Sequence, residues 1–282
     1  MQTRYLITGA GGMLGTDLLR ALNGRDVTAL DRSGLDISDA EAVRAAIEGF
    51  DVVINAAAYT KVDDAESDED QAYLVNATAA ENLAKAAAAA GARFVQVSTD
   101  YVFDGVATTP YAEDAAIAPV SAYGRTKAAG ERLAAAANPR TLIVRTAWLY
   151  GANGASLPRT LLKAAASRDT FTVVNDQRGQ PTYTKDLAER IVAVLDSGAE
   201  SGIFHGTNSG ETTWFGFARE AFRLSGLDPE RIQPTTSADF VRPAPRPAYS
   251  VLGHDAWAAV GLAPMRDWRD ALADAVAAGT FN

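Results

Sequence analysis

Through the first 150 residues, short runs of consecutive apolar side chains alternate with longer alanine-rich stretches. The runs at 4–8, 27–31, 52–55, 94–98 and 141–145 stay apolar at neighbouring positions, as strands covered on both faces do. Between them the chain favours helix, most plainly at 79–90, where alanine dominates. This alternation predicts parallel strands joined by crossover helices: an α/β fold with a Rossmann-type doubly wound parallel sheet. After Tyr150-Gly151 the alternation loosens and glycine and proline become frequent. The stretch Arg242-Pro243-Ala244-Pro245-Arg246-Pro247 cannot be a helix interior, because proline has no amide proton and crowds the preceding turn. The expected division is a first domain over 1–150 and a smaller C-terminal lobe over 151–282. A helical pattern at 185–197, after a loop at 175–184, is expected to return part of that lobe, about 185–206, to the first domain.

Composition narrows the class of function. At 282 residues, 48% hydrophobic and 22% charged, the chain can bury a large core and is not a disordered polymer. No apolar run approaches the roughly 20 residues of a membrane span, and the first residues lack the layout of a signal peptide, so a cytoplasmic protein is expected. A formal net charge of −9 argues against nonspecific binding to nucleic acid or to an anionic membrane. There is no cysteine, which removes disulfides, thiolate nucleophiles and cysteine-based metal sites. His205 and His254 stand far apart with no partner at helical spacing, so no zinc site is expected.

The first candidate chemistry lies at the end of the first strand. Thr8-Gly9-Ala10-Gly11-Gly12-Met13-Leu14-Gly15 opens a helical run, and Gly9, Gly12 and Gly15 have the spacing of a dinucleotide loop. Glycines there allow a tight turn, let backbone approach a pyrophosphate and let the helix pack on the strand, while the helix N-terminus offers unpaired N–H groups. Asp31, at the end of the second strand, could bind the adenosine ribose hydroxyls. Its neighbour Arg32 could instead meet a 2′-phosphate, so NADH and NADPH both stay open. Asp36 and Ile37 begin the next turn and could flank the adenine.

Tyr123-Gly124-Arg125-Thr126-Lys127 puts a phenol and an ammonium four residues apart on one helix face. A nearby ammonium is expected to lower the phenol's pKa from about 10 toward the working range, and the lysine could also hold the nicotinamide ribose. One crossover upstream, Ser98-Thr99-Asp100-Tyr101-Val102-Phe103 leaves a buried strand at the ligand edge of a parallel sheet. Thr99 could bond a substrate carbonyl within reach of Tyr123, a role for which Ser98 competes. Ala56-Ala57-Ala58 would let a cofactor lie against the backbone, and Trp148, ending another strand, offers an apolar face to a sugar or base.

With these motifs in order, the chain resembles the extended short-chain dehydrogenases/reductases and, among them, the dTDP-4-dehydrorhamnose reductase family. The likeness runs nearly end to end. It is carried further by Asn55-Ala56-Ala57-Ala58-Tyr59-Thr60 with Val62-Asp63 and Glu66, and by Arg145-Thr146-Ala147-Trp148-Leu149-Tyr150. Asn175-Asp176-Gln177 with Gly179, Pro181 and Thr182 adds to it, as does Arg246-Pro247 with Ser250. The resemblance implies that Tyr123 protonates the C4 carbonyl of a dTDP-4-dehydro-6-deoxyhexose while NAD(P)H delivers hydride, with Lys127 and Thr99 assisting, to give dTDP-L-rhamnose. It implies that Gly12, Met13, Leu14, Asp31, Asp36, Ile37, Ala58, Tyr59 and Thr60 line the cofactor, and that Thr99, Asp100 and Trp148 contact the substrate. Some members of the family use magnesium at an acidic dimer contact. Here Thr16-Asp17 stands where a glutamate is expected, so the sequence does not support a Mg2+ requirement. Arg242 and Arg246 are either diphosphate contacts or solvated loop charges, and a monomer or a homodimer is expected. Two competing readings share the fold: a sugar-nucleotide epimerase or dehydratase, and a regulatory subunit like that of methionine adenosyltransferase. The intact Thr99, Tyr123 and Lys127 argue against the second.

Overall fold

The computed structural model of the protein describes residues 2–281. The first half runs β1 (Arg4–Thr8), α1 (Met13–Ala21), β2 (Asp26–Leu30), α2 (Ala40–Ile47), β3 (Val52–Asn55), α3 (Glu69–Tyr73), α4 (Ala79–Ala89), β4 (Arg93–Thr99), α5 (Ala122–Ala137) and β5 (Thr141–Thr146). All five strands fall where the apolar runs placed them, with ends moved by one residue at β2, β4 and β5. The predicted helix at 79–90 is the last part of a longer rod, because α3 and α4 are joined through a π-helical turn, Leu74–Thr78.

A sixth strand, unforeseen as such, comes much later. β6 (Leu149–Tyr150), α6 (Leu157–Ala164), β7 (Phe171–Val174), β8 (Arg178–Gly179) and β9 (Thr182–Tyr183) intervene before α7 (Thr184–Asp196) leads into β10 (Gly202–His205). β10 pairs in parallel with β5, completing a sheet in the order β10-β5-β4-β3-β1-β2. With four residues beginning at glycine, β10 carries too short an apolar run to stand out in the sequence. The strand order reverses between β1 and β3, so their C-terminal ends open a crevice there, the natural seat of a ligand in such a sheet.

Helices cover both faces. α1 and α7 bury Leu14, Leu18, Leu187 and Ile191 against one side, and α2 and α4 bury Val43, Ile47 and Leu83 against the other. Of the remaining chain, β11 (Thr212–Thr213), α8 (Trp214–Leu224), β12 (Ile232–Thr235) and α10 (Trp268–Ala277) pack with α6 away from the central sheet, whereas α9 (Ala256–Ala259) returns to it, its Trp257 buried against β10 and donating to the His205 carbonyl at 2.9 Å. The lobe's own core gathers Tyr150, Tyr183, Phe217 and Trp268. The proline-rich stretch 242–247 is irregular, as its composition requires. Among the described residues no helix is long and apolar enough to cross a membrane.

Candidate active site

The glycine loop is built on close backbone contacts. Gly9 has φ +73°, and a Cβ there would stand 2.5 Å from the Ala57 nitrogen; one on Gly15 would stand 2.3 Å from the Gly9 oxygen. These positions accept only glycine, and they leave a bare cradle between the β1 turn and the segment after β3, fit for a pyrophosphate at the start of α1. Leu14 contributes backbone alone, since its side chain is in the core, while Met13 leans toward Gly151 and Gly154. Asp31 sits beside Gly11, its carboxylate held low in pKa by the Ser33 hydroxyl and amide and the Gly34 amide. Arg32 is exposed next to it. Asp36, exposed, accepts from the amide and hydroxyl of Ser38 through one carboxylate oxygen, and Ile37 packs against the core.

Ala58, Tyr59 and Thr60 form the opposite wall. Asn76, from the π-helical turn, clamps the Tyr59 peptide at both ends, accepting from its N–H at 2.9 Å and donating to its carbonyl at 3.1 Å. The same amide donates to Thr126 on α5 at 3.1 Å. A local widening of the helix, not a motif, puts Asn76 there. It was missed in the sequence for that reason.

α5 carries the reactive pair. Ser121 caps it by accepting from Gly124 N–H at 3.1 Å, and Glu66 accepts from Ala122 N–H at 2.8 Å. Tyr123, half-buried, meets the edge of Tyr101 with ring centroids 5.6 Å apart. Its phenol is pushed up to about 12 by burial, with the Asp100 charge adding and a hydrogen bond from Thr99 opposing. The expected lowering by Lys127 is not present: the one group that lowers the phenol is Thr99, and the Lys127 ammonium donates to the Val97 carbonyl at 2.6 Å. Lys127 is itself pushed down to about 8 by burial, opposed by Glu131.

Thr99 and Ser98 are separated by the alternation of a strand. Thr99 faces Tyr123 and bonds Asp100 at 2.9 Å, whereas Ser98 is buried away without a partner for its hydroxyl. Asp100 is 2% exposed and is pushed up to about 6 by burial, against hydrogen bonds from Ser250 and Thr99. The strap 242–247 closes over this edge: Asp63 receives Arg246 at 2.9 Å and Arg242 at 3.3 Å, and the Arg246 charge reaches Tyr101.

Trp148 does not offer the free face expected of it. Trp214, first residue of α8, stacks on it at 3.7 Å, and a Cβ on Gly179 would stand 2.7 Å from its ring. Its φ of +47° is the single positive value at a non-glycine among the described residues, strain of the kind that collects at functional sites. Trp214 lies 66 positions from Trp148 with no motif of its own, so nothing in the sequence links them. Asp17, where an acidic metal contact was considered, is already taken by Thr184 at 2.6 Å and Arg20 at 2.7 Å.

Residues 3–281 match the family described as RmlD substrate binding domain. The chain belongs to that family. Among its RmlD relatives, a probable dTDP-4,6-dihydroxy-2-methyloxan-3-one 4-ketoreductase of Streptomyces antibioticus is 54% identical, over 96% of this chain and 94% of its own. A dTDP-4-dehydrorhamnose reductase of Streptomyces griseus is 50% identical, over 96% of this chain and 92% of its own. A crystal structure of the Bacillus anthracis dTDP-4-dehydrorhamnose reductase in complex with NADP superposes with a TM-score of 0.93 at 36% identity, covering 96% of this chain and 98% of that one. The RmlD assignment makes the chain an NAD(P)-dependent oxidoreductase with the Rossmann-type fold described above.

Proposed function

We infer that the protein reduces the C4 ketone of a dTDP-4-dehydro-6-deoxy sugar with NADPH or NADH, giving dTDP-L-rhamnose from dTDP-4-dehydrorhamnose. The observation that carries this reading is the grouping of Thr99, Tyr123 and Lys127 at the strand ends beside a cradle that only glycines allow, in a chain matched to its family nearly throughout. A nicotinamide cofactor held there supplies the hydride. Gly9, Gly12, Met13, Leu14 and Gly15 present backbone to its diphosphate, Asp31 and Arg32 face its adenosine ribose, and Ala58, Tyr59 and Thr60 flank it. Lys127 fixes the nicotinamide ribose. Thr99 and Tyr123 hold the ketone oxygen, and Tyr123 gives its proton to the alkoxide as it forms. The phenol is protonated at neutral pH and so can donate; burial, which pushes it up to about 12, makes it a weaker acid, and the transfer is driven by the more basic alkoxide that hydride addition creates. The C-terminal lobe, 151–282 apart from about 185–206, seats the sugar nucleotide along the Trp148–Trp214 wall, and Asp100, itself buried, acts on the sugar through Thr99, whose hydroxyl donates to that carboxylate at 2.9 Å. We place this nucleotide-sugar reductase in the cytoplasm, as a monomer or a homodimer.

The Streptomyces antibioticus relative favours a second substrate. Its named compound, an oxan-3-one with hydroxyls at positions 4 and 6 only, lacks the hydroxyl that rhamnose carries at C2. The purified protein should be given each ketone in turn with NADPH and with NADH, following loss of reduced-nicotinamide absorbance. Oxidation matched by dTDP-rhamnose formation supports the first reading and ranks the cofactors. Faster turnover of the 2-deoxy ketone supports the second, and no oxidation of either overturns both.

A further inference from the structure

Tyr123, Lys127 and Glu131 follow each other at four-residue steps along α5, so one helix face carries a phenol, an ammonium and a carboxylate in a row. The reaction outlined above uses the first two and leaves the third idle. Lys127 and Glu131 are 3% and 4% exposed. From β5, Arg145 meets the Glu131 carboxylate with two prongs, Nη2 to Oε2 at 2.8 Å and Nε to Oε1 at 3.0 Å. Behind the guanidinium lie the Phe103 ring, 5.1 Å away, the Glu113 carbonyl at 3.1 Å and the His205 ring nitrogen at 3.4 Å.

A buried ion pair is a poor device for stability alone. Desolvating both charges cancels most of their attraction, and an apolar pair of the same volume holds two elements together as well. This one has a neighbour that needs it. Lys127 is an ammonium in a dry slot whose single hydrogen bond in the structure goes to a carbonyl, and Glu131 is the charge that acts on it.

We propose that Glu131 is a positioning residue of the active site, supplying the counter-charge for the Lys127 ammonium, with Arg145 fixing that carboxylate in place. The inference rests on the role given to Lys127 above. The other titratable groups around the row are Asp100 and Tyr101 on the turn after β4, Tyr123 at the substrate edge, and His205, which burial and Arg145 keep neutral, near 3. None of them carries a negative charge on the Glu131 side of Lys127. Glu113 does not compete, since its carboxylate accepts from Ala256 N–H at 3.0 Å.

The test reads the lysine itself. Lys127 is one of five lysines, so protein labelled with 13C and 15N at lysine gives a simple side-chain spectrum, in which Lys127→Arg identifies its signal. The midpoint of that signal with pH is measured without cofactor in wild type, Glu131→Gln and Glu131→Gln/Arg145→Met. The double variant removes the guanidinium that the single one leaves buried and unpaired, and so keeps the fold testable. The expected result is a midpoint about one unit lower in both variants, with thermal stability recovered in the double. At pH 8 the protonated fraction of Lys127 then falls from about one half to about one tenth, and the NADPH dissociation constant rises roughly fivefold. A double variant that recovers stability and also returns the midpoint to its wild-type value overturns the proposal, because the pair is then only structural. A lowered midpoint with unchanged NADPH affinity overturns the ribose role of Lys127 instead, and leaves the counter-charge standing.

Discussion

The two edges of the active site are made in different ways. The proposed cofactor edge is local: residues 8–15 turn on Gly9 and Gly15, where a Cβ would collide with backbone, and the wall opposite is the five-residue continuation of β3, 56–60. The proposed substrate edge is assembled from Thr99 at the end of β4 and Asp100 after it, Tyr123 on α5, Trp148 after β5, Gly179 on β8, Trp214 on α8 and the strap 242–247. In the proposed function backbone would do most of the binding at the first edge, and side chains brought from across the chain would do it at the second. The first is suited to a cofactor common to a whole superfamily, and the second can change its sugar while the chemistry stays fixed.

Substitutions on each edge should therefore separate cofactor affinity from turnover. The largest effect is expected of Tyr123→Phe, which removes the proton donor and leaves packing intact: kcat falls by roughly 10^2–10^4 with NADPH affinity preserved, measured by steady-state assay and fluorescence titration. Normal turnover there ends the assignment of Tyr123. On the other edge, Gly15→Ala pushes a methyl to 2.3 Å from the Gly9 oxygen, and should cost roughly 1–3 kcal/mol in chemical denaturation and weaken NADPH before it touches the sugar. Trp214→Ala removes the stacking partner of Trp148 and should raise KM for the sugar nucleotide by about tenfold, an aromatic contact's worth, with the NADPH dissociation constant unmoved. A matching loss of NADPH affinity would show that the two edges are not independent.

The smallest effect is a pH dependence, with a sign fixed by Lys127. Its pKa near 8 means that NADPH affinity is level below about pH 8 and falls as the ammonium is lost above it. For stability the sign is opposite. The folded value lies below the ordinary 10.5, so between about 8 and 10.5 the unfolded chain holds more protons and the fold gains with rising pH. Lys127→Met should abolish that gain in melts taken across the window.

What the sequence discloses follows the same division. The five central strands, the glycine loop and the Tyr123/Lys127 pair are legible because each is set by neighbours within a few residues. β10 was hidden by its brevity, Asn76 by a π-helical turn that no periodicity signals, and Trp214 by its distance along the chain from Trp148. The direction of the Tyr123 shift is hidden for a related reason. Spacing places Lys127 on the same helix face, but only the packed structure tells that its ammonium turns to the Val97 carbonyl and that burial governs the phenol.

The central claim is a one-way hydride transfer to the sugar's C4, and isotope transfer tests it most directly. Turnover of dTDP-4-dehydrorhamnose with NADPH deuterated on the transferred face should place one deuterium at C4 of dTDP-rhamnose for each NADPH consumed, as read by mass spectrometry and NMR. A changed sugar with no net NADPH consumption, or consumption without deuterium at C4, would contradict the account and point to an epimerase or dehydratase cycle.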